Sequence, residues 1–159
     1  MDIVVLDGGT TNPGDLSWAP LEALGRVTVY DYTPADCVVK RARDAEALIV
    51  NRIVLNRAVL DALPKLRYIG TLATGYNTID VRAAREKGVT VCNVPLYCVE
   101  TVAQLTFALL LALCCRVEHL SAVTRSGGWN DAVEATHTTA PILELSGKTL
   151  GILGFGNIG

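Results

Sequence analysis

The chain has 159 residues, of which 50% are hydrophobic and 19% charged, with a formal net charge of -2. This composition predicts a globular protein, excludes a disordered one, and gives no electrostatic reason to expect a nucleic-acid partner. The five cysteines include no C-x-x-C pair, which predicts reduced thiols in a cytoplasmic protein and argues against disulfides or a metal site. The longest apolar run, residues 105–115, is too short to span a bilayer, so no membrane partner is expected.

The first 92 residues predict five buried strands that alternate with short helices. Each strand is a short apolar or β-branched run bounded by glycine, proline or asparagine, and we place them at residues 3–6, 27–30, 47–50, 66–72 and 89–92. Helices are predicted at residues 18–24, from Pro34 to about 43, at 57–63, and up to residue 87. Thr33, Asn56, and either Thr78 or Asp80 are the predicted caps of the last three. This alternation predicts an α/β fold with an open parallel sheet covered on both faces.

Ligands of such sheets bind at the carboxyl ends of the strands, and two stretches lie there. Asn51 and Arg52 follow the third strand, and Ala73-Thr74-Gly75-Tyr76-Asn77 follows the fourth. A guanidinium matches the two oxygens of a carboxylate, although an arginine at a strand end is more often solvated. The glycine loop can point consecutive N–H groups at a small anion, whereas the plainer interpretation is a flexible turn. No chemistry is expected at the opposite edge.

The next stretch predicts a domain crossing followed by a long helix. Pro95 interrupts an extended segment at residues 93–97, and Thr101-x-x-Gln104 has the spacing of a capping box. The predicted helix runs from there to about Val123. Because it is apolar almost all round from residue 105 to 115, it should be buried between domains, between subunits, or both. Residues 124–144 are predicted to form a loop.

The chain ends on a glycine motif that is typical of dinucleotide-binding sites. A predicted strand, residues 149–153, leads into Gly154-x-Gly156-x-x-Gly159. In such sites the first glycine makes a tight turn, the second lets the backbone approach a pyrophosphate, and the third lets a helix pack closely on the sheet. The helix and the acidic residue that would bind the ribose are expected beyond residue 159.

The remaining candidates are interpreted as structural. His119 and His137 have no acidic or cysteine partner at a useful spacing, so both are predicted to be structural or surface residues. Cys98 is interpreted as a small buried hydrophobe. Trp129 is expected to make an apolar contact. No catalytic residue is therefore assigned in this chain.

Several stretches together resemble one family, the NAD(P)-dependent D-2-hydroxyacid dehydrogenases. They are residues 68–80, Asn93-Val94-Pro95, Thr101-Val102-Ala103-Gln104 and residues 147–159. Residues 7–18 and 126–129 favour the branch of glycerate dehydrogenases, also called hydroxypyruvate reductases. The resemblance covers the whole chain in the order of the family.

The resemblance implies two domains and two binding regions. Residues 1–100 would form a flavodoxin-like substrate domain, and residues 101–159 the truncated start of a Rossmann domain, with its first helix and first strand. The loop Ala73, Thr74 and Gly75 would bind the substrate carboxylate, with Arg52 nearby. The cofactor, NAD(H) or NADP(H), would be bound by these residues: Thr101, Gly154, Phe155, Gly156, Asn157, Ile158 and Gly159.

The resemblance also implies an activity and an assembly. Members of the family are oxidoreductases acting on the CH–OH group of D-2-hydroxy acids, which here implies reduction of hydroxypyruvate or glyoxylate to D-glycerate or glycolate. A homodimer through the helix at residues 101–123 and the following arm is expected. The family's catalytic histidine, acidic residue and arginine have no counterpart before residue 159, so this chain alone is expected to be inactive. The alternatives are a phosphoglycerate or D-lactate dehydrogenase, or a non-catalytic NAD-sensing binding or dimerisation module.

Overall fold

The computed structural model describes residues 1–128 and 141–159. The chain forms two compact units, Met1–Pro95 and Leu96–Gly159. The first contains the sheet that the alternating pattern predicts, and the second contains the long apolar helix and the glycine motif. The predictions for Trp129 and His137 lie outside the described residues.

The first unit is built on a five-stranded parallel sheet. Its strands are β1 Asp2–Val5, β2 Arg26–Val29, β3 Ala47–Val50, β4 Tyr68–Thr71 and β5 Thr90–Cys92. Their spatial order is β2-β1-β3-β4-β5, which is the order of flavodoxin-like sheets. The five predicted strands and the flavodoxin-like α/β class are therefore confirmed.

Two layers of side chains cover the sheet, one on each face. Along β3, Leu48 and Val50 pack into the larger cluster, and Ala47 and Ile49 pack into the smaller one. All four residues are buried, which explains why this strand is a continuous apolar run rather than an alternating one. The covering helices are α1 Ala19–Glu22, α2 Val38–Ala42, α3 Arg57–Asp61 and α4 Val81–Glu86.

Two of the predicted helix caps are confirmed and one is wrong. The Asn56 side chain accepts a hydrogen bond from the Val59 amide at 3.0 Å, and Asp80 accepts one from the Ala83 amide at 2.9 Å. Thr33 does not cap α2, which begins after a short 3-10 turn at Ala35–Cys37. The Thr33 hydroxyl is buried and accepts a hydrogen bond from the Arg41 guanidinium at 2.8 Å instead. A tertiary partner thus occupies the oxygen that the local pattern assigned to the helix.

The long helix of the second unit differs from its prediction at both ends. It begins at Val99 as α5, Val99–Cys114, so the capping-box start at Thr101 is wrong. The Thr101 hydroxyl lies inside the first turn and donates to the Cys98 carbonyl at 3.0 Å. The helix is also interrupted: Arg116 is left-handed, with φ 50° and ψ 40°, and a second helix follows as α6, Val117–Arg125. The Leu143 amide donates to the Cys114 carbonyl near this break.

Most of α5 is exposed, contrary to the burial predicted for it. Leu105, Leu109 and Leu113 form an apolar face on one side of the helix, Phe107 and Leu111 lie on another side, and all five are exposed. Leu109 is 57% and Leu113 72% exposed, and Cys114 is the buried residue of this helix. The predicted burial thus requires a surface that the described residues do not supply.

Neither helix of the second unit could cross a bilayer by itself. The described residues contain no single helix that is long and apolar enough to do so. Within this part of the chain, the pair α5 and α6 taken together has the necessary length and composition, and it is bent by 58° at the break.

The strand predicted at residues 149–153 is absent, so this prediction is wrong for the described chain. Residues 148–159 contain no strand and all of them are exposed. A β-strand is stabilised by hydrogen bonds to a neighbouring strand. The second unit has no other strand among its described residues to provide them.

Candidate functional site

The candidate site lies at the carboxyl edge of the sheet, where β1, β3 and β4 are neighbours. The chain order of the strands reverses between β1 and β3. In open parallel sheets this switch point leaves a crevice, because the loops that follow the two strands leave toward opposite faces. The loops after β1, β3 and β4 contain the residues described below.

The loop after β4 is fixed by hydrogen bonds through its carbonyls. The Val94 amide donates to the Ala73 carbonyl at 3.1 Å, and the Asn93 side chain donates to the Thr74 carbonyl at 2.8 Å. The Thr74 hydroxyl donates to the Val94 carbonyl at 3.1 Å. The amides of Ala73 and Gly75, by contrast, have no acceptor among the described residues. The loop is thus tied to the segment after β5, with two donors left for a ligand.

Gly75 does not have a left-handed backbone, and only one side-chain atom lies close to it. It is not among the glycines of positive φ. A Cβ at this position would lie 3.3 Å from the Asn77 Oδ1 atom, which is closer than most real contacts of that kind. Another residue here would therefore require the exposed Asn77 side chain to shift by a few tenths of an ångström.

Arg52 follows β3, the strand that neighbours β4. Val50 pairs with Thr71, and the Leu72 amide donates to the Val50 carbonyl at 2.8 Å, so the residues after β3 run alongside those after β4. The Arg52 side chain is exposed and makes no ion pair with the described residues. It lines a cleft of about 630 Å³ together with Asp7, Thr10 and Asn56. An unpaired guanidinium in a cleft is available to an anionic ligand.

Asp7 is a residue of this edge that sequence reasoning missed. It is 3% exposed, and its carboxylate accepts hydrogen bonds from the amides of Asn51 and Arg52. The sequence did contain one sign of this role, because Asp7 directly follows a buried apolar strand. An acid that is buried in such a place is rare unless it is paired.

At the opposite edge of the sheet, charged side chains form ion pairs with one another. Lys65 binds Asp44 at 2.7 Å and Arg26 binds Asp2 at 2.8 Å. The hydrogen bond and the charge of Lys65 lower the pKa of Asp44, and the same contact raises the pKa of Lys65. These charges already have partners, so this edge offers less to a ligand than the edge with Arg52.

The glycine motif of the second unit has the backbone geometry of a tight turn. Gly154 has φ +97°, and a Cβ on Gly159 would lie 2.5 Å from the Gly154 carbonyl oxygen. A Cβ on Gly156 would meet nothing within 4 Å, as expected for an exposed glycine. The other predicted cofactor residues of the motif, Phe155, Asn157 and Ile158, are exposed. Gly154 and Gly159 thus approach each other in a turn, and no strand precedes this turn among residues 148–153.

Two further candidates lie in the second unit. His119 is half-buried on α6, and Cys98 is half-buried just before α5. Each makes an interaction with another residue of the chain. No group of three potential metal ligands lies together among the described residues.

Comparison with protein families gives one match that covers most of the chain. Residues 4–149 match the family described as "D-isomer specific 2-hydroxyacid dehydrogenase, catalytic domain". A hydroxypyruvate reductase of Blautia hydrogenotrophica is 44% identical, over 100% of this chain and 50% of the relative. A glycerate dehydrogenase of Methylorubrum extorquens is 33% identical, over 80% of this chain and 40% of the relative. The chain thus spans about half the length of the curated relatives it matches.

One solved structure with a similar fold is a ligand complex. It is the NADPH-dependent glyoxylate/hydroxypyruvate reductase of Sinorhizobium meliloti, in complex with NADP and malonate. The TM-score is 0.72 at 27% sequence identity, over 99% of this chain and 47% of that structure.

Proposed function

Because the chain belongs to the D-isomer specific 2-hydroxyacid dehydrogenases, we propose that the whole protein reduces small 2-oxo acids to D-2-hydroxy acids with a nicotinamide cofactor. Hydroxypyruvate is the proposed substrate, with glyoxylate as the second. The 44% identity to a hydroxypyruvate reductase over the full chain supports this choice. D-Lactate and phosphoglycerate dehydrogenases remain the alternatives that a substrate panel decides.

The observation that carries the proposal is the pair of backbone amides in the loop after β4 that have no acceptor among the described residues, with Arg52 following the adjacent strand. The amides of Ala73 and Gly75 and the exposed Arg52 guanidinium lie at the ends of adjacent strands. A carboxylate can accept from the amides while the guanidinium donates to a second oxygen of the same substrate. Thr74 would hold the loop in place beside the substrate, since its carbonyl and hydroxyl bind Asn93 and Val94. This arrangement would orient the 2-oxo carbon before any chemistry occurs.

The second unit is the proposed binding region for the cofactor, NAD(H) or NADP(H). The turn from Gly154 to Gly159, including the amides of Phe155, Asn157 and Ile158, would bind the pyrophosphate. Thr101, in the first turn of α5, would lie near the nicotinamide. The cofactor, when bound, supplies the hydride that reduces the 2-oxo carbon. The chain's own proposed contribution is to bind the two ligands and to orient the carboxylate.

The same proposal includes a division of the chain into two domains and a homodimer. Residues 1–100 would be the substrate domain, and residues 101–159 would begin the cofactor domain. The exposed apolar face of α5 is the surface through which we propose that the protein forms a homodimer. Burial of such a face is favourable by about 25 cal/mol per Å² of apolar surface.

The test is an assay of the whole protein with Arg52→Ala. We expect NADH or NADPH oxidation with hydroxypyruvate, and a fall of roughly 10- to 100-fold in kcat/KM in the variant, since a hydrogen bond to a charged group contributes about 1.5–3 kcal/mol. Arg82→Ala is the matched control, because Arg82 is exposed and makes no ion pair with described residues. Equal losses in both variants would contradict the role of Arg52.

The substrate panel and the short chain test the rest of the proposal. Glyoxylate, pyruvate and phosphohydroxypyruvate are compared with hydroxypyruvate, and we expect the last to have the highest kcat/KM. The 159-residue chain, checked by intact mass, is expected to give no turnover. Turnover by that chain would show that its own residues complete the catalytic site, and a whole protein without turnover on any of these acids would refute the function.

A further inference from the structure

A buried carboxylate ties together two loops of the carboxyl edge. The Asp7 Oδ1 atom accepts a hydrogen bond from the Asn51 amide at 2.9 Å, and Oδ2 accepts one from the Arg52 amide at 2.6 Å. These partners lie 44 and 45 positions later in the chain. Hydrogen bonds to an ionised acceptor are stronger than neutral ones. Both oxygens of Asp7 are therefore used to hold two consecutive amides.

Thr10 adds a second connection between the same two loops. Its amide and hydroxyl both donate to the Asp7 carbonyl, at 3.0 and 2.7 Å. The Asn51 side chain donates in turn to the Thr10 hydroxyl at 2.9 Å. The loop after β1 and the loop after β3 thus form one hydrogen-bonded network, which we call the Asp7 network and which consists of Asp7, Thr10, Asn51 and the Arg52 amide.

The Asp7 network holds the backbone of Arg52, from which its side chain extends. Asp7 holds the Arg52 backbone from the buried side, while the Arg52 side chain lines the cleft at this edge. A long side chain has many rotamers, and a backbone that also moved would add to the entropy lost when the guanidinium binds a ligand. A loose turn would leave the guanidinium spread over several positions.

We propose that Asp7 is a positioning residue, which acts on the 2-oxo acid substrate through Arg52 rather than by contact. This inference rests on the proposed function, because it takes Arg52 as a substrate-binding residue. Asp7, which lies shortly after β1, would thus affect the affinity for the substrate. The effect should appear in KM for the 2-oxo acid and leave KM for the nicotinamide cofactor unchanged.

Asp7→Asn is the first variant, because it keeps the shape of the side chain and replaces one acceptor by a donor. That NH₂ group would face a backbone N–H, so one of the two hydrogen bonds is lost. We expect KM for hydroxypyruvate to rise about tenfold, with kcat changed less than about twofold. Asp31→Asn is the matched control, because Asp31 is an exposed acid just after β2 at the same edge, and its KM should equal that of the unmodified protein.

A double-mutant cycle separates positioning from a general structural role. If Asp7 acts through Arg52, Asp7→Asn should raise KM less than about twofold when Arg52 is already alanine. An equal rise in both backgrounds would overturn the proposal. Should Asp7→Asn fail to fold, Thr10→Val replaces it, since Thr10 is exposed and the change removes only the two hydroxyl contacts, with Asn51 and with the Asp7 carbonyl. We expect Thr10→Val to raise KM for hydroxypyruvate about threefold. This rise should disappear when Arg52 is already alanine.

Hydrogen exchange tests the proposal without activity. In Asp7→Asn the amide that loses its acceptor, either that of Asn51 or that of Arg52, should exchange faster, while the amides of β3 keep their rates. Unchanged exchange at both residues would overturn the proposal whatever the kinetics show. If the protein reduces no 2-oxo acid, the proposed function is refuted. Faster exchange in Asp7→Asn would still support the hydrogen bond from the Arg52 amide to Asp7.

Discussion

At the scale of single residues, two buried threonines differ in whether their hydroxyls have a hydrogen-bond partner. Thr71, the last residue of β4, is 1% exposed, and its hydroxyl has no partner in the described structure. Thr33 is 3% exposed, and its hydroxyl accepts a hydrogen bond from Arg41. An unsatisfied buried polar group costs free energy, whereas a satisfied one contributes to stability.

Replacing each threonine by valine should therefore have opposite effects. We expect Thr71→Val to raise the free energy of unfolding by about 1 kcal/mol, because it removes a hydroxyl without a partner. Thr33→Val should lower it by about 1–3 kcal/mol, because it removes an acceptor of the Arg41 guanidinium. Denaturant unfolding of both variants measures the difference. A loss of stability in Thr71→Val equal to that of Thr33→Val would mean that the Thr71 hydroxyl has a partner in solution.

At the scale of elements, two of the four short helices of the first unit begin at a side chain that accepts a hydrogen bond from one of the first free amides. Asn56 and Asp80 do this for α3 and α4, through the amide three residues later. Thr33 and Thr101 have the residue type for a cap but use their hydroxyls elsewhere. A cap is thus predictable from sequence unless a tertiary or helical partner takes the same oxygen.

The cap of α3 can be tested by removing and restoring its acceptor. Asn56→Ala should lower the free energy of unfolding by about 1 kcal/mol, because the Val59 amide loses its acceptor. Asn56→Asp keeps an acceptor at the same place and should stay within a few tenths of a kcal/mol of the unmodified protein. Thermal or denaturant unfolding compares the three. Equal loss in alanine and aspartate variants would assign the effect to something other than the cap.

At the scale of the whole molecule, the second unit exposes several large apolar side chains. The apolar face of α5 is exposed, and so are Ile152, Leu153 and Phe155 near the end of the chain. Contiguous exposed apolar surface favours association. The proposed homodimer and the proposed remainder of a cofactor domain both provide a cover for it.

Charging the apolar face should prevent association of the 159-residue chain. We expect this chain to sediment as a dimer or larger species, and the double variant Leu109→Glu, Leu113→Glu to sediment as a monomer, because burying two carboxylates is costly. Leu24→Glu is the control, since Leu24 is similarly exposed but lies in the first unit. A double variant that associates as the unmodified chain does would exclude the face with Leu109 and Leu113 from the interface.

The sequence by itself determined those features that depend on neighbouring residues. The five strands of the sheet are short apolar runs bounded by turn residues, and the caps Asn56 and Asp80 bind amides three positions away. The common edge of Arg52 and the loop at residues 73–75 also followed, because parallel strands place their carboxyl ends together.

Only the tertiary structure decided the features that depend on partners far along the chain. Asp7 binds amides 44 and 45 positions later, which no local pattern indicates. The break at Arg116 coincides with a contact from Leu143 to Cys114. Residues 149–153 have the composition of a strand but form none, because the hydrogen bonds of a strand come from a neighbouring strand. Local propensity selects the elements, and the distant partners decide which of them form and what their side chains bind.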